Sequence, residues 1–176
     1  MFFWHAGATI ALIRYAFRDE RMDLRFLVVG AVLPDLLDTP AGLIFWDRFH
    51  AVRLAAHSLT FAALMMIAVM VATRRGRPRK RWMPVAVGVL MHLFLDGMWR
   101  FPATLWWPFL GTTFASSGFA TVGEYLRWLL TDWRTWLGEA VGFGYLAVLA
   151  RRSHLGEPER LRRFLRTGVV DAPIGR

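Results

Sequence analysis

Six basic residues crowd together as Arg74, Arg75, Arg77, Arg79, Lys80 and Arg81, with apolar runs on both sides, 54–73 before them and 82–99 after. A second basic group, Arg151, Arg152, Arg160, Arg162, Arg163 and Arg166, follows the apolar run 133–150. Apolar runs closed by clustered Arg and Lys are the pattern of transmembrane helices with cytoplasmic flanks. A bilayer interior forces backbone groups to pair within the chain, which favours helices for such runs. The composition agrees: 56% of residues are hydrophobic, mean hydropathy is +0.36, and nine Trp suit a chain that meets the membrane interface. The net charge of +9 would by itself suit nucleic acid. Its placement directly after apolar runs assigns it to topology instead, so no nucleic-acid partner is expected.

The predicted fold class is all-α, an integral membrane helical bundle of about five hydrophobic segments with a re-entrant or interfacial loop. The segments are 1–17, 26–46, 54–73, 82–99 and 133–150. The second is interrupted by Pro34, Asp35, Asp38 and Pro40, which predicts a bend or loop near Pro34. Residues 101–120 are aromatic with Gly and Pro, too broken for a span, and are expected to lie over a site. Residues 124–132 read as a short amphipathic interfacial helix. The division is a membrane-embedded domain, 1–152, and a basic cytoplasmic tail, 153–176, helical around 159–166 and then disordered.

Charge placement orients the bundle. Residues 74–81, the 18–25 loop and the tail go to the cytoplasm; the N-terminus, 40–53 and 100–132 go to the other side. His5, Asp35, Asp38, His57, His92, Asp96 and Glu139 then fall in the non-cytoplasmic leaflet. Ionisable residues at that depth are costly unless paired or coordinated. Scattered packing residues would not be expected to gather in one leaflet.

His92 and Asp96 are four residues apart and share a helical face. With His57 and Asp35, and then Asp38 and His5, they form a candidate metal set. The chain has no Cys, so any divalent ion uses nitrogen and oxygen ligands, which suits Zn, Mn, Fe or Mg, as one ion or two. Such a site lowers the pKa of bound water, and a carboxylate not bound to the metal, Asp35 or Asp38, serves as general base. Arg53 and Arg100 flank the set as phosphate clamps, with Arg48 and Arg127 as weaker versions. Trp106 and Trp107, with Pro108 and Phe109, would wall an acyl chain.

Each residue also has a plainer explanation. Asp35 after Pro34 could cap a helix. His92 and Asp96 could hydrogen-bond within the bundle, Glu139 could be a lone buried acid, and the Trp-rich loop could anchor the interface.

Taken in order, residues 30–38 (GAVLPDLLD), 53–58 (RLAAHS), 92–96 (HLFLD) and 107–109 (WPF) resemble the YdjM/DUF457 family of membrane-bound metal-dependent hydrolases. His5 fits that family's early His. The family is similar in motif style to zinc-dependent phospholipase C and S1/P1 nuclease proteins. The resemblance implies hydrolysis of a phosphoester on a lipid or amphiphilic substrate. Two positions depart from the family pattern. The usual Pro-Asp-x-Asp is here Pro34-Asp35-Leu36-Leu37-Asp38. Val52 and Ala56 stand where the family often has His and Thr, with His50 as a possible replacement.

The expected protein is thus a metal-dependent hydrolase of a bacterial-type inner membrane, with the lipid bilayer as partner, its site facing the non-cytoplasmic side and its C-terminus in the cytoplasm. The competing expectation is a non-enzymatic membrane protein, an ion or proton pathway or a scaffold, built on the same His/Asp cluster. A metal-dependent lipid oxidase or desaturase would want HxxxH or HxxHH spacing, which no His pair here has.

Overall fold

The computed structural model describes residues 1–18 and 21–170, and all of its regular structure among these is helical. The helices are α1 (Phe2–Ala11, continuing into a π-helical turn, Leu12–Ala16), α2 (Leu24–Ile44), α3 (Trp46–Phe49), α4 (Leu59–Ala72), α5 (Arg77–Leu95), α6 (Pro102–Leu105), α7 (Val122–Thr131), α8 (Trp133–Arg152) and α9 (Pro158–Thr167). Asp19, Glu20 and residues 171–176 lie outside the described residues, and with them part of the 18–25 loop and the end expected to be disordered.

Polar side chains set the helix starts. Asp23 accepts the Arg25 N–H at 3.1 Å to open α2, and Ser58 accepts the Phe61 N–H at 3.1 Å to open α4. Thr121 accepts the Glu124 N–H at 3.2 Å, while the Glu124 carboxylate reaches back to the Ala120 N–H at 3.0 Å. That reciprocal arrangement is a variant of the capping box. Asp132 then ends α7 and opens α8.

The central seam is α2 against α5, with α1 packed on α2, α5 and α8, and α4 packed on α5. Glycine makes the close approaches possible. A Cβ on Gly30 would lie 2.0 Å from the Val85 carbonyl oxygen, and one on Gly88 would lie 2.3 Å from that of Leu27. Small residues at helix contacts are the membrane solution to close packing. One core cluster gathers Ile10, Ile13, Leu24, Leu27, Leu149 and Val170. A second joins α4 and α5 through Ala62, Val89, Leu93 and Met98.

The segment expected to bend or loop near Pro34 holds no loop there: it is one continuous helix, α2, with Pro34 and Pro40 inside it. Each proline removes a single N–H, and packing against α5 holds the helix through that loss. Among the described helices, α2 alone has both the length and the apolar composition to cross a bilayer. Helix α4 is apolar but has 14 residues, about 21 Å at 1.5 Å per residue, short of a ~30 Å hydrocarbon core. Among the described residues the regular structure is thus all helical, and one helix meets both measures of a full span. Part of the stretch expected as a cytoplasmic loop, 74–81, is the start of α5. Arg79 there donates to the Met70 and Thr73 carbonyls at 2.7 and 2.8 Å, closing the C-terminal end of α4.

The described part of the tail packs on the bundle. The Leu24 N–H donates to the Gly168 carbonyl at 2.8 Å, Arg25 donates to the Leu165 and Arg166 carbonyls, and Val170 is buried among α1, α2 and α8 residues.

Candidate metal centre

The site forms at the end of the bundle opposite the basic turn, where α1 and α8 begin, α5 ends and the short turn Ala55–His57 leads into α4. His5, His57 and His92 are almost completely buried there, at 1%, 0% and 0% exposure.

His57 is oriented by Asp38. One turn of α2 presents both Asp35 and Asp38, three residues apart on one face. Asp38 accepts the Leu54, Ala56 and His57 backbone N–H groups at 2.8, 3.1 and 3.0 Å, and the His57 Nδ1–H at 2.8 Å. Its carboxylate is spent on holding the turn and fixing the imidazole, leaving His57 Nε2 to face the site.

His92 is oriented by the backbone. Pro34 deprives the Gly30 carbonyl of its usual helical donor, and the next carbonyl, that of Ala31, accepts His92 Nδ1–H at 2.7 Å. His92 Nε2 then meets His57 Nε2 at 3.2 Å. Both Nδ1 atoms donate to fixed acceptors, so in the neutral rings both Nε2 atoms carry lone pairs. Two lone pairs facing at this distance require an added proton or a cation between them.

Two carboxylates complete the surroundings. Asp35 Oδ1 lies 3.5 Å from His57 Nε2 and 3.7 Å from His92 Nε2. Asp96, one turn beyond His92 at the C-cap of α5, places Oδ2 at 3.8 Å from His57 Nε2 and Oδ1 at 3.0 Å from His5 Nε2. The α-helical turn from His92 ends here because Gly97 adopts a left-handed conformation, φ 62°. His5 stacks on His92 with ring centroids 4.1 Å apart. Donor atoms of Asp35, His57 and His92 lie within 4.8 Å of one another, as do those of His5, His92 and Asp96. His92 belongs to both groups, so the residues can hold one ion, or two that share its neighbourhood. A nitrogen and carboxylate set of this kind fits Zn, Mn or Fe.

Arg53 donates Nε–H to Asp96 Oδ2 at 2.6 Å and sits over the Phe101 ring. Burial weakens its charge, but Asp96 and Asp35 outweigh that and raise its pKa. Asp35, Asp96 and Arg53 form the polar end of a cavity of about 790 Å³. Its other walls are mostly apolar and aromatic, including Leu36, Phe101, Phe119, Tyr125 and Trp128, with hydroxyls of Thr39, Thr104, Ser116, Ser117 and Thr135 among them. Tyr125 is buried, packs against Trp46, Phe119 and Trp128, and keeps its proton: burial raises the phenol, Arg53 opposes this, and the Asp35 and Asp96 charges add to it.

Of the residues expected from sequence, His5, Asp35, His57, His92, Asp96 and Arg53 come together. Asp38 does not face the cavity as a base; all of its hydrogen bonds run to the 54–57 turn. Arg100 is exposed, folds back on the Gly97 carbonyl at 3.4 Å and does not line the cavity. Trp106 and Trp107 do not line it either; Trp106 points outward and Trp107 packs on Phe114. His50 turns its carbonyl to Ser117 and stands outside both donor groups. Glu139 accepts the Phe3 and Trp4 N–H groups at 2.9 and 3.3 Å and so caps α1. Missed from sequence were Phe119, Tyr125 and Trp128. The signal for Tyr125 and Trp128 was the amphipathic 124–132 stretch, and Phe119 lies in 101–120, the stretch expected over a site.

The ordered motifs that carry this geometry match a family model, that of the YdjM inner membrane protein, over residues 2–156. The chain belongs to that family. Membership of the YdjM family makes it an inner membrane protein, and the matched span contains every donor of the site. No curated protein and no solved structure matches the chain significantly, so the wider likeness to zinc-dependent phospholipase C and S1/P1 nuclease proteins gains no support.

Proposed function

We propose that this YdjM-family protein is a membrane-bound metal-dependent hydrolase that cleaves a phosphoester of a lipid or amphiphilic substrate. The observation that carries this is the 3.2 Å approach of two Nε2 atoms whose Nδ1 atoms are both tied to acceptors, beside Asp35 and Asp96. His57, His92 and Asp35 would hold a divalent ion, Zn foremost, with Asp96 and His5 for a second or a shared one. A bound ion there supplies Lewis acidity and water of lowered pKa. The residues do the rest. Arg53 presents its guanidinium to the cavity while Asp96 fixes its Nε, which suits a phosphate. Where His5, His92 and Asp96 hold the ion instead, Asp35, 29% exposed, is left unligated and is placed to accept a proton at the cavity wall. Asp38 keeps His57 in the correct tautomer.

In the orientation that follows from charge, the site opens to the non-cytoplasmic side and the basic turn and tail face the cytoplasm. Helices α1, α4, α5 and α8 would share the bilayer with α2, shorter helices being matched by their flanks and by local thinning. Metal analysis of the purified protein, followed by a phosphoester panel in detergent with His92→Ala beside it, tests this. Metal-dependent release of phosphate or a headgroup by the wild type alone is expected; metal without turnover on any phosphoester would leave a binding protein.

One observation favours the ion-pathway alternative. Helix α1 and its π-helical turn bury His5, Thr9 and Arg14 in succession, and Thr9 Oγ1 has no hydrogen-bond partner among the described residues. A proton flux in proteoliposomes that Thr9→Val abolishes would establish that reading; its absence leaves the hydrolase.

A further inference from the structure

The cavity beside the metal centre has chemically different walls, and its volume selects among amphiphiles. We propose that it binds a phosphoester bearing a single alkyl-type chain, with the phosphate at Arg53 and the chain along Phe119, Tyr125 and Trp128; the phosphate end of this proposal rests on the hydrolase reading above.

Three observations lead there. Arg53 spends Nε on Asp96, and its Nη atoms have no hydrogen bond among the described residues, so a forked donor pair remains at the cavity wall. The Phe119, Tyr125 and Trp128 rings line the same cavity, pack with centroids 5.4–6.2 Å apart and present an apolar surface, while the cavity's other cation, the Met1 ammonium, is paired with Asp35 at 2.8 Å. The volume, about 790 Å³, divided by the ~30 Å³ that one water- or methylene-sized group fills, gives room for about 26 such groups. A phosphate with one chain of ordinary length fits that space. A glycerophospholipid with two such chains is nearly twice as large, and its second chain would lie outside, over exposed Leu36.

The choice of anion also follows. Asp35 and Asp96 repel a phosphate on their own, so the metal-loaded protein is the form that binds it. Leu36 lines the cavity and is 67% exposed, which places an apolar opening on α2, the helix long enough to span the bilayer. An amphiphile can thus enter sideways from the leaflet, chain and headgroup together.

The test titrates 11-bromoundecyl phosphate into the metal-loaded full chain in a neutral maltoside micelle and follows bromine quenching of Trp fluorescence. Saturable quenching is expected. Trp128→Phe should remove a large part of its amplitude, and Arg53→Gln or the cavity-filling Leu36→Trp should weaken binding by about 10-fold or more. A dibrominated two-chain phosphatidic acid should bind more weakly, and a bromoalkyl trimethylammonium should not saturate. Non-saturable partitioning, tighter binding of the two-chain lipid, or unchanged quenching in Trp128→Phe overturns the proposal. Metal content is read on the same sample. Metal without alkyl-phosphate binding overturns this inference and leaves the metal centre standing; alkyl phosphate bound without any metal sinks the hydrolase and overturns the metal-loaded form as the one that binds.

Discussion

Asp38 and His57 form a fixed pair: the carboxylate accepts the ring Nδ1–H at 2.8 Å and three backbone N–H groups of the turn that carries the ring. The link ties a side chain on α2 to the start of α4 and decides which imidazole nitrogen faces the site.

Asp38→Asn should therefore disturb both the turn and the metal. Its amide nitrogen cannot accept these donors, so a loss of about 1–3 kcal/mol of stability is expected. Weakening the support of a metal-binding His typically lowers metal affinity by ~10–100-fold. Thermal melts and metal titration of the variant check this. Asp35→Asn should lower metal affinity with a smaller loss of stability, because its carboxylate holds no turn and its 2.8 Å partner is the part-exposed Met1 ammonium. Equal behaviour of the two variants would contradict the assignment.

That contrast also marks where the sequence was legible. His57, His92 and Asp96 were readable because a buried imidazole or carboxylate in an apolar helix is expensive, and i, i+4 spacing fixes the face. Asp35 and Asp38 were not separable, since both sit on one face of α2 and only the path of the 54–57 turn distinguishes them. The helices α7, α8 and α9 came close to their expected limits because charged or capping residues bound them. A loop did not form at Pro34, because tertiary packing against α5 outweighed a local signal. Arg100, Trp106 and Trp107 were placed at the site by proximity along the chain, yet the turn at Gly97 and the fold of 101–110 carry them away. The ring wall came from Phe119, Tyr125 and Trp128, 84 to 93 positions beyond Asp35, a contact that no local pattern reports.

The α2–α5 seam supports His92 directly. Gly30→Ala would place a methyl 2.0 Å from the Val85 carbonyl oxygen, and the next carbonyl on α2 is the one that accepts His92 Nδ1–H. Separation of the helices should cost about 1–3 kcal/mol and weaken metal binding together with stability. Gly144→Ala, where the added methyl meets nothing within 4 Å, is the control and should leave both unchanged. Loss of stability with full metal affinity would show that the seam does not position His92.

Residues outside the cavity should be dispensable. Arg100→Ala and Trp106→Ala are expected to change turnover of a phosphoester substrate by no more than about 2-fold, as for surface substitutions worth ±0.5 kcal/mol. Arg53→Gln should raise KM by about 10-fold or more, the scale of a lost hydrogen bond to a charged group. Steady-state kinetics on the three variants separates them, and a strong effect of Arg100→Ala would restore it as a clamp.

Orientation can be read from a chain that has no cysteine of its own. His50→Cys should react with a membrane-impermeant thiol reagent from the non-cytoplasmic side, and Arg75→Cys only after the membrane is opened. Labelling of residue 50 from the cytoplasm would reverse the topology and leave the metal geometry untouched.

The most direct measurement is the metal content of the purified protein, wild type beside His57→Ala and His92→Ala, with each variant's folding checked by its melting curve. One or two equivalents of a divalent metal in the wild type, lost in both variants and in chelator with a lower melting temperature that metal restores, is the expected result. A folded wild type that purifies without metal and binds none on titration would contradict the metal centre.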